Sequence, residues 1–197
     1  MLVLISGKSG SGKTELANNL KTHWSQRGIA TVILNFMRPV HDMHDAVAMV
    51  GKRFGLHPPP PGKGDTDLIS LLNDWGRKKD QNIWDQAFQD YYDEVTSHWR
   101  KQQLFFMAVA DDMHYRSSFD FFGRALTVRL ECDPKTLVQR SPYYDMDRGH
   151  PSQVDLDPYV KADKFDVVID TTDLTPDKVC EEVVAHFTER VDKAFEK

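Results

Sequence analysis

Cysteine is scarce in this chain: among 197 residues only Cys132 and Cys180 carry thiols. Their spacing fits neither a metal-ligand set nor a redox pair, which excludes both from the list of functions. The two read as reduced core or near-core thiols of a cytoplasm-like compartment. Long apolar runs are missing as well. No stretch approaches the 18 residues of a membrane span, so no membrane partner is expected. The first apolar run is five residues long and has no basic leader, unlike a secretory signal. No internal repeat occurs, and the one low-complexity feature is the proline run at 58–61. Positive charge is not in surplus: 25 basic against 30 acidic residues leave a net charge of −5. That balance argues against broad, non-specific binding of nucleic acid, while a local basic groove stays compatible with it. What remains is ordinary for a soluble globular protein, with 40% hydrophobic and 28% charged residues. The length suits one α/β domain over 1–197, and two domains would be cramped.

The strongest pattern opens the chain. Leu2-Val3-Leu4-Ile5-Ser6 is a short apolar run, followed at once by Gly7-Lys8-Ser9-Gly10-Ser11-Gly12-Lys13-Thr14. This is G-x-x-x-x-G-K-[ST], the phosphate-cradling P-loop. Glycines let the backbone curl so that several N–H groups point at phosphate oxygens. The helix that follows, Glu15 to Arg27, adds unpaired N–H groups and a partial positive charge. Lys13 is expected to reach the β and γ phosphates, and the Thr14 hydroxyl to bind Mg²⁺. A nucleoside triphosphate is the implied ligand, with ATP and Mg²⁺ as cofactors.

Strands and helices alternate along the rest of the chain. Strands are expected at Thr31–Phe36, from β-branched content and length, at Leu104–Ala110, apolar on both faces as a central parallel strand is, and at Ala125–Leu130 and Asp166–Asp170. Helical spacing covers Val40–Phe54, with Pro39 at its start, then Asp65–Trp75, Ile83–Lys101 and Ser117–Gly123. Gly76 permits a bend between the second and third of these helices. The segment His57–Gly64 is neither helix nor strand and reads as a stiff linker. Asp133-Pro134 begins a helix to Arg140, and Thr175-Pro176 begins the last one. The polar, turn-rich stretch 141–158 is expected to carry no regular element. Alternation of this kind implies an α/β fold: a parallel five-stranded sheet with helices on both faces and, over about 140–160, a mobile lid.

In such sheets ligands bind beyond the carboxyl ends of the strands. Three groups collect there by position: the P-loop after strand one, Arg38 and His41 after strand two, and Asp111, Asp112, His114 and Arg116 after strand three. An acid after an apolar strand is the Walker B arrangement, which serves Mg²⁺ directly or through water. Asp111 is taken as the metal acid beside Thr14, although the sequence alone does not decide between Asp111 and Asp112. Phosphoryl transfer also needs cations around the moving group, and Arg140 and Arg148 in the lid segment are the candidates, with His150 nearby. His41 and His44 share a helix face, but no third ligand is fixed near them. A solvent-facing or substrate-lining helix start is the better reading.

Several weaker motifs occur in order around the P-loop: Phe36-Met37-Arg38-Pro39-Val40, Trp75-Gly76-Arg77 with Asn82-Ile83-Trp84, Asp112-Met113-His114-Tyr115, His150-Pro151-Ser152-Gln153 and Asp166-Val167-Val168-Ile169-Asp170. With these the chain resembles the deoxynucleoside monophosphate kinases of bacteriophages, to which animal-type phosphomevalonate kinases are a related branch of P-loop kinases. The matches are similar to that family's Phe-x-x-Pro-Leu, Leu-Gly-Thr with Asp-x-x-Trp, Asp-x-Arg-Phe and His-x-Ser-Glu elements and to its closing strand. Three positions depart from the pattern. Thr14 stands where the family often has Asp, His114 where it has Arg, and Gln153 where it has an acid.

The resemblance implies an ATP-dependent kinase acting on a deoxynucleoside monophosphate. In it Lys13 and the loop amides hold the triphosphate, and Arg148, with Arg140, stabilises the transferring group. Arg38, His41, Asp112, His114, Arg116 and His150 are assigned to the acceptor. A related group of phage kinases phosphorylates 5-hydroxymethyluracil within DNA, and the altered acceptor residues fit that alternative too. A hydroxyl acceptor profits from a general base, for which Asp112 is the candidate. An ionised phosphate acceptor needs cations instead. A nucleotide-binding switch with little turnover ranks last. The partner is therefore a nucleotide substrate or modified DNA, and a homodimer stays open because the sequence does not give the oligomeric state.

Overall fold

The computed structural model describes residues 1–55, 66–141 and 154–195. The described chain packs as two compact units, Met1–Asn35 with Trp99–Lys197 and Phe36–His98.

The larger unit is built on five strands: β1 (Leu2–Gly7), β2 (Ala30–Asn35), β3 (Phe106–Asp111), β4 (Leu126–Glu131) and β5 (Val167–Asp170). All neighbours run parallel in the order β2-β3-β1-β4-β5. Successive strand residues point to opposite faces, and all six residues of β3 are buried, so both faces of the sheet's centre are covered. At the edge, β5 buries only Val167 and Ile169 and exposes Val168 and Asp170. Helices α1 (Lys13–Ser25) and α8 (Pro176–Phe195) close one face. Leu16, Ala17, Leu20 and Trp24 of the first meet Val179, Cys180 and Val183 of the second over Val3, Ile5, Val109 and Val128. Each fully buried leucine there contributes about 2 kcal/mol. Burial, reinforced by Asp177 and Glu181, pushes the Cys180 thiol above its ordinary range, which suits an inert core thiol. The shorter helices are α5 (Arg116–Phe121), α6 (Pro134–Arg140) and α7 (Asp157–Lys161). Asp133 caps α6 as expected, its carboxylate accepting from the backbone N–H groups of Lys135 and Thr136 at 2.9 and 3.2 Å. No helix among the described residues is long and apolar enough to cross a membrane.

The smaller unit holds α2 (Arg38–Arg53), α3 (Thr66–Lys79) and most of α4 (Ile83–Lys101). Here the expected bend at Gly76 is corrected: α3 runs straight through it to Lys79. Glycine is required for close approach instead. A Cβ at Gly76 would lie 2.6–2.7 Å from three atoms of the Trp84 indole. That ring is held by its Nε1–H, which donates to the Asn73 carbonyl at 3.0 Å. The two weak motifs Trp75-Gly76-Arg77 and Asn82-Ile83-Trp84 are thus one packing arrangement. Of the apolar residues that give α3 its helical spacing, Leu71 and Trp75 are exposed.

Two further expectations change. Strand three starts at Phe106, not Leu104. The backbone turns left-handed at Gln103 (φ 55°), and Leu104 N–H returns to the Trp99 carbonyl at 2.9 Å. This closure of α4 leaves Leu104 and Phe105 exposed outside the ladder. At the end of the stretch read as turn-rich, Asp157 and Pro158 begin α7, which runs on to Lys161. The proline run and the stretch 142–153, with Arg148 and His150, lie outside the described residues.

Candidate active site

Chain direction reverses across the sheet between β1 and β3: the connection from β1 leads to the β2 side and that from β3 to β4 on the other. Ligand crevices in open parallel sheets form at such a switch point, outside the strands' carboxyl ends. The loop Gly7–Thr14 and the acids Asp111 and Asp112 both leave their strands there.

The loop's shape depends on its glycines. At Gly10 the backbone has φ +85°, and a Cβ would crowd the Leu137 carbonyl and Ser141 Cβ, both at 3.1 Å. Gly12, at φ 97°, caps α1, so Lys13 and Thr14 form that helix's first turn. Their side chains meet two consecutive acids. Lys13 is buried, and its Nζ donates to the carbonyls of Gly7 (3.0 Å) and Lys8 (3.3 Å) and pairs with Asp112 Oδ1 at 3.2 Å. Thr14 Oγ1 donates to Asp111 Oδ2 at 3.0 Å.

Neighbouring strand residues would ordinarily point their side chains apart. The structure overrides this at Asp112, whose φ of 66° is in the left-handed region. Aspartate tolerates that region better than most residues, and such strain clusters at functional positions. The kink lets Asp111 and Asp112 reach Thr14 and Lys13 together. Burial raises the Asp111 carboxyl above its ordinary range, and the Asp112 charge adds to the shift. The Thr14 hydrogen bond and Lys13 act in the opposite direction. His114 Nε2 stands 3.7 Å from Asp112 Oδ1.

On the loop's other flank a cavity of about 250 Å³ is lined by Gly10–Gly12, Leu16, Arg140, Thr171, Leu174, Pro176 and Val179, among others. Arg140 forms part of its wall, donating to the carbonyls of Thr171 (3.2 Å) and Thr172 (3.1 Å). Ser11 Oγ, also at this wall, is buried with no hydrogen-bond partner among the described residues.

The structure thus brings together Lys13, Thr14, Asp111, Asp112 and His114, with Lys8, Ser9 and Arg140 around the loop. Arg116, two residues beyond His114, is held by Asp155, which accepts from its backbone N–H at 2.8 Å and from its guanidinium at 3.1 Å. Arg38 and His41 belong to the smaller unit. There Arg38 Nε pairs with Asp42 at 2.7 Å, a hydrogen bond that raises the guanidinium's pKa.

Sequence reasoning missed Arg129, Asp155, Asp157 and the apolar cavity wall. Arg129 did leave a signal, as a lone positive charge inside an apolar strand run. The cavity wall comes from α1, β4 and the start of α8, which are remote in sequence and carry no shared motif.

No protein-family model matches the chain, and no curated protein does. Among solved structures it is similar to TT1252 from Thermus thermophilus, with a TM-score of 0.59 at 17% identity over 94% of this chain and 96% of that one. It is also similar to the shikimate kinase of Aquifex aeolicus vf5 (TM-score 0.47, 14% identity, 97% and 98% of the two chains). A shikimate kinase from Acinetobacter baumannii in complex with shikimate gives 0.48, 14%, and 96% and 93% coverage. Of these three likenesses, that to TT1252 bears on this chain, and it shows the fold alone.

Proposed function

We propose that this chain is one kinase domain that transfers the γ-phosphoryl group of ATP to a deoxynucleoside monophosphate. The observation that carries the reading is the pairing of consecutive loop residues, Lys13 and Thr14, with consecutive acids, Asp112 and Asp111, at the switch point of the sheet.

The residues present fit a nucleoside triphosphate and its metal. Gly10 leaves room where a Cβ would crowd its neighbours, and Ser11 Oγ is buried and unpartnered among the described residues. Thr14 and Asp111 are an all-oxygen donor pair, which suits Mg²⁺, an ion that takes one or two protein oxygens beside phosphates at nucleotide sites. When bound, ATP supplies the phosphoryl group and Mg²⁺ neutralises part of its charge.

The chain's own residues do the rest. Lys13, tethered to two loop carbonyls and Asp112, is already stretched along the loop and exchanges these partners for phosphate oxygens. Its release takes the Lys13 charge away from Asp112, which keeps His114 beside it. Thr14 and Asp111 hold their oxygens in place through each other. The apolar cavity with Arg140 at its wall accepts the base and excludes water from one side of the loop, so Arg140 serves the donor nucleotide here. On the sequence reading the acceptor's charge falls to Arg38 and Arg116, and the charge of the transferring group to Arg148.

One observation favours the second reading, a hydroxymethyl group of 5-hydroxymethyluracil in DNA. Asp112 is a carboxylate fixed beside the loop lysine and His114, and once Lys13 turns to phosphate it is placed to take a hydroxyl proton. The protein with γ-labelled ATP, offered free deoxynucleoside monophosphates and DNA containing 5-hydroxymethyluracil, separates the two. Label in mononucleotides supports the first reading. Label in DNA and in no mononucleotide supports the second and overturns the first.

A further inference from the structure

β4 carries a charge that the proposed transfer does not use. Arg129 pairs in register with Ser6, the residue before the phosphate loop, and only 3% of its side chain is exposed. A buried guanidinium is costly unless its donors are met. Nε donates to Glu131, Nη1 to Ser6 Oγ at 3.1 Å, and Nη2 to Asp157 Oδ1 at 3.0 Å. The other Asp157 oxygen faces Lys8 Nζ at 3.5 Å. Lys8 in turn is the residue whose carbonyl accepts from Ser11 N–H (3.1 Å) and from Lys13 Nζ (3.3 Å). One carboxylate at the start of α7 therefore joins the buried arginine to the first turn of the loop.

We infer that Asp157 is a positioning residue for nucleotide binding, holding the loop's first turn in place through Arg129 and Lys8. The inference rests on the reading that this loop holds a nucleoside triphosphate. The two links differ in strength. The Lys8–Asp157 pair is partly exposed and contributes little alone, whereas the Arg129 link is buried and charge-assisted. Asp157 thus acts chiefly by fixing Arg129 against Ser6, with Lys8 drawn to the same carboxylate.

The second anchor of α7 supplies a control: the Tyr159 hydroxyl donates to Asp120 at 2.9 Å, remote from the loop's hydrogen bonds. The affinity of a fluorescent N-methylanthraniloyl ATP with Mg²⁺ is measured for the full chain and its variants, alongside their melting temperatures. Asp157→Asn is expected to weaken binding on the order of tenfold, as a small displacement of positioning groups does. Asp157→Glu, which keeps the carboxylate, is expected to recover most of that loss. Asp120→Asn is expected to lower the melting temperature and leave affinity within about twofold, the scatter of independent sites. Arg129→Lys, which keeps the buried charge but not the fork, is expected to weaken binding in the same direction, and it decides the matter if Asp157→Asn does not fold. Wild-type affinity in folded Asp157→Asn or Arg129→Lys overturns the inference, as does a loss that Asp157→Glu fails to recover. Failure of the wild type to bind the probe overturns the nucleotide reading itself, an outcome distinct from equal binding by variant and wild type.

Discussion

Replacing Gly76 by alanine tests whether close approach, and not a bend, explains that glycine. Three indole atoms of Trp84 lie 2.6–2.7 Å from where the new Cβ would be placed. Ordinary contact needs roughly an additional ångström, so the ring or the helix must move. The ring has little freedom, being 6% exposed and hydrogen-bonded through Nε1 to Asn73. Overpacking of this kind costs about 1–3 kcal/mol. Losing a buried hydrogen bond adds about 1–3 kcal/mol. Alanine recovers about 1 kcal/mol through its better helix propensity. A net loss of about 3 kcal/mol is expected, read as a lower midpoint in urea unfolding followed by circular dichroism. Stabilisation by about 1 kcal/mol, the helix-propensity gain alone, would refute the close-contact account.

Asp111→Asn probes the electrostatics of the site. The folded protein holds the Asp111 proton more tightly than the unfolded chain does, because burial and then Asp112 raise its pKa. The stability it contributes is complete below the ordinary carboxylate range and falls as pH rises toward the raised folded value. Asparagine fixes the neutral form. Its stability advantage over wild type in urea unfolding is therefore expected to grow with pH across that window, reaching about 1 kcal/mol near neutrality, while transfer is lost. An advantage that shrinks as pH rises contradicts the assignment. Gly10→Ala is expected to abolish detectable binding of the fluorescent ATP with little loss of secondary structure by circular dichroism, since its left-handed backbone and its neighbours at 3.1 Å both resist a Cβ. Wild-type affinity in that variant would show that the loop's curl is not the binding determinant.

The order of elements was legible because each strand and helix carries its own local period. All five strands occur near their expected places, and the P-loop marked its site by itself. Local period says nothing about contacts between distant segments. Gly76 reads as a bend in sequence, yet its partner Trp84 lies across the connection, in the first turn of the next helix. Leu104 and Phe105 look like strand, but closure of α4 takes them out of the ladder. The approach of Asp111 and Asp112 to adjacent loop residues depends on one left-handed φ, which no strand pattern encodes. Asp155 and Asp157 sit in a polar stretch where nothing distinguishes them from surface acids, and only their arginine partners show their place.

Phosphoryl transfer by the loop and its two acids requires that ADP appear only when an acceptor is present. Release of ADP from ATP and Mg²⁺, followed with and without deoxynucleoside monophosphates, tests it most directly, with Lys13→Ala in parallel. ADP release that depends on the acceptor, reduced on the order of a thousandfold or more in Lys13→Ala, is the expected result, because the developing charge loses its nearest cation. Tight nucleotide binding with no acceptor-dependent release from any nucleotide or modified DNA, or turnover unaffected by Lys13→Ala, would contradict the account.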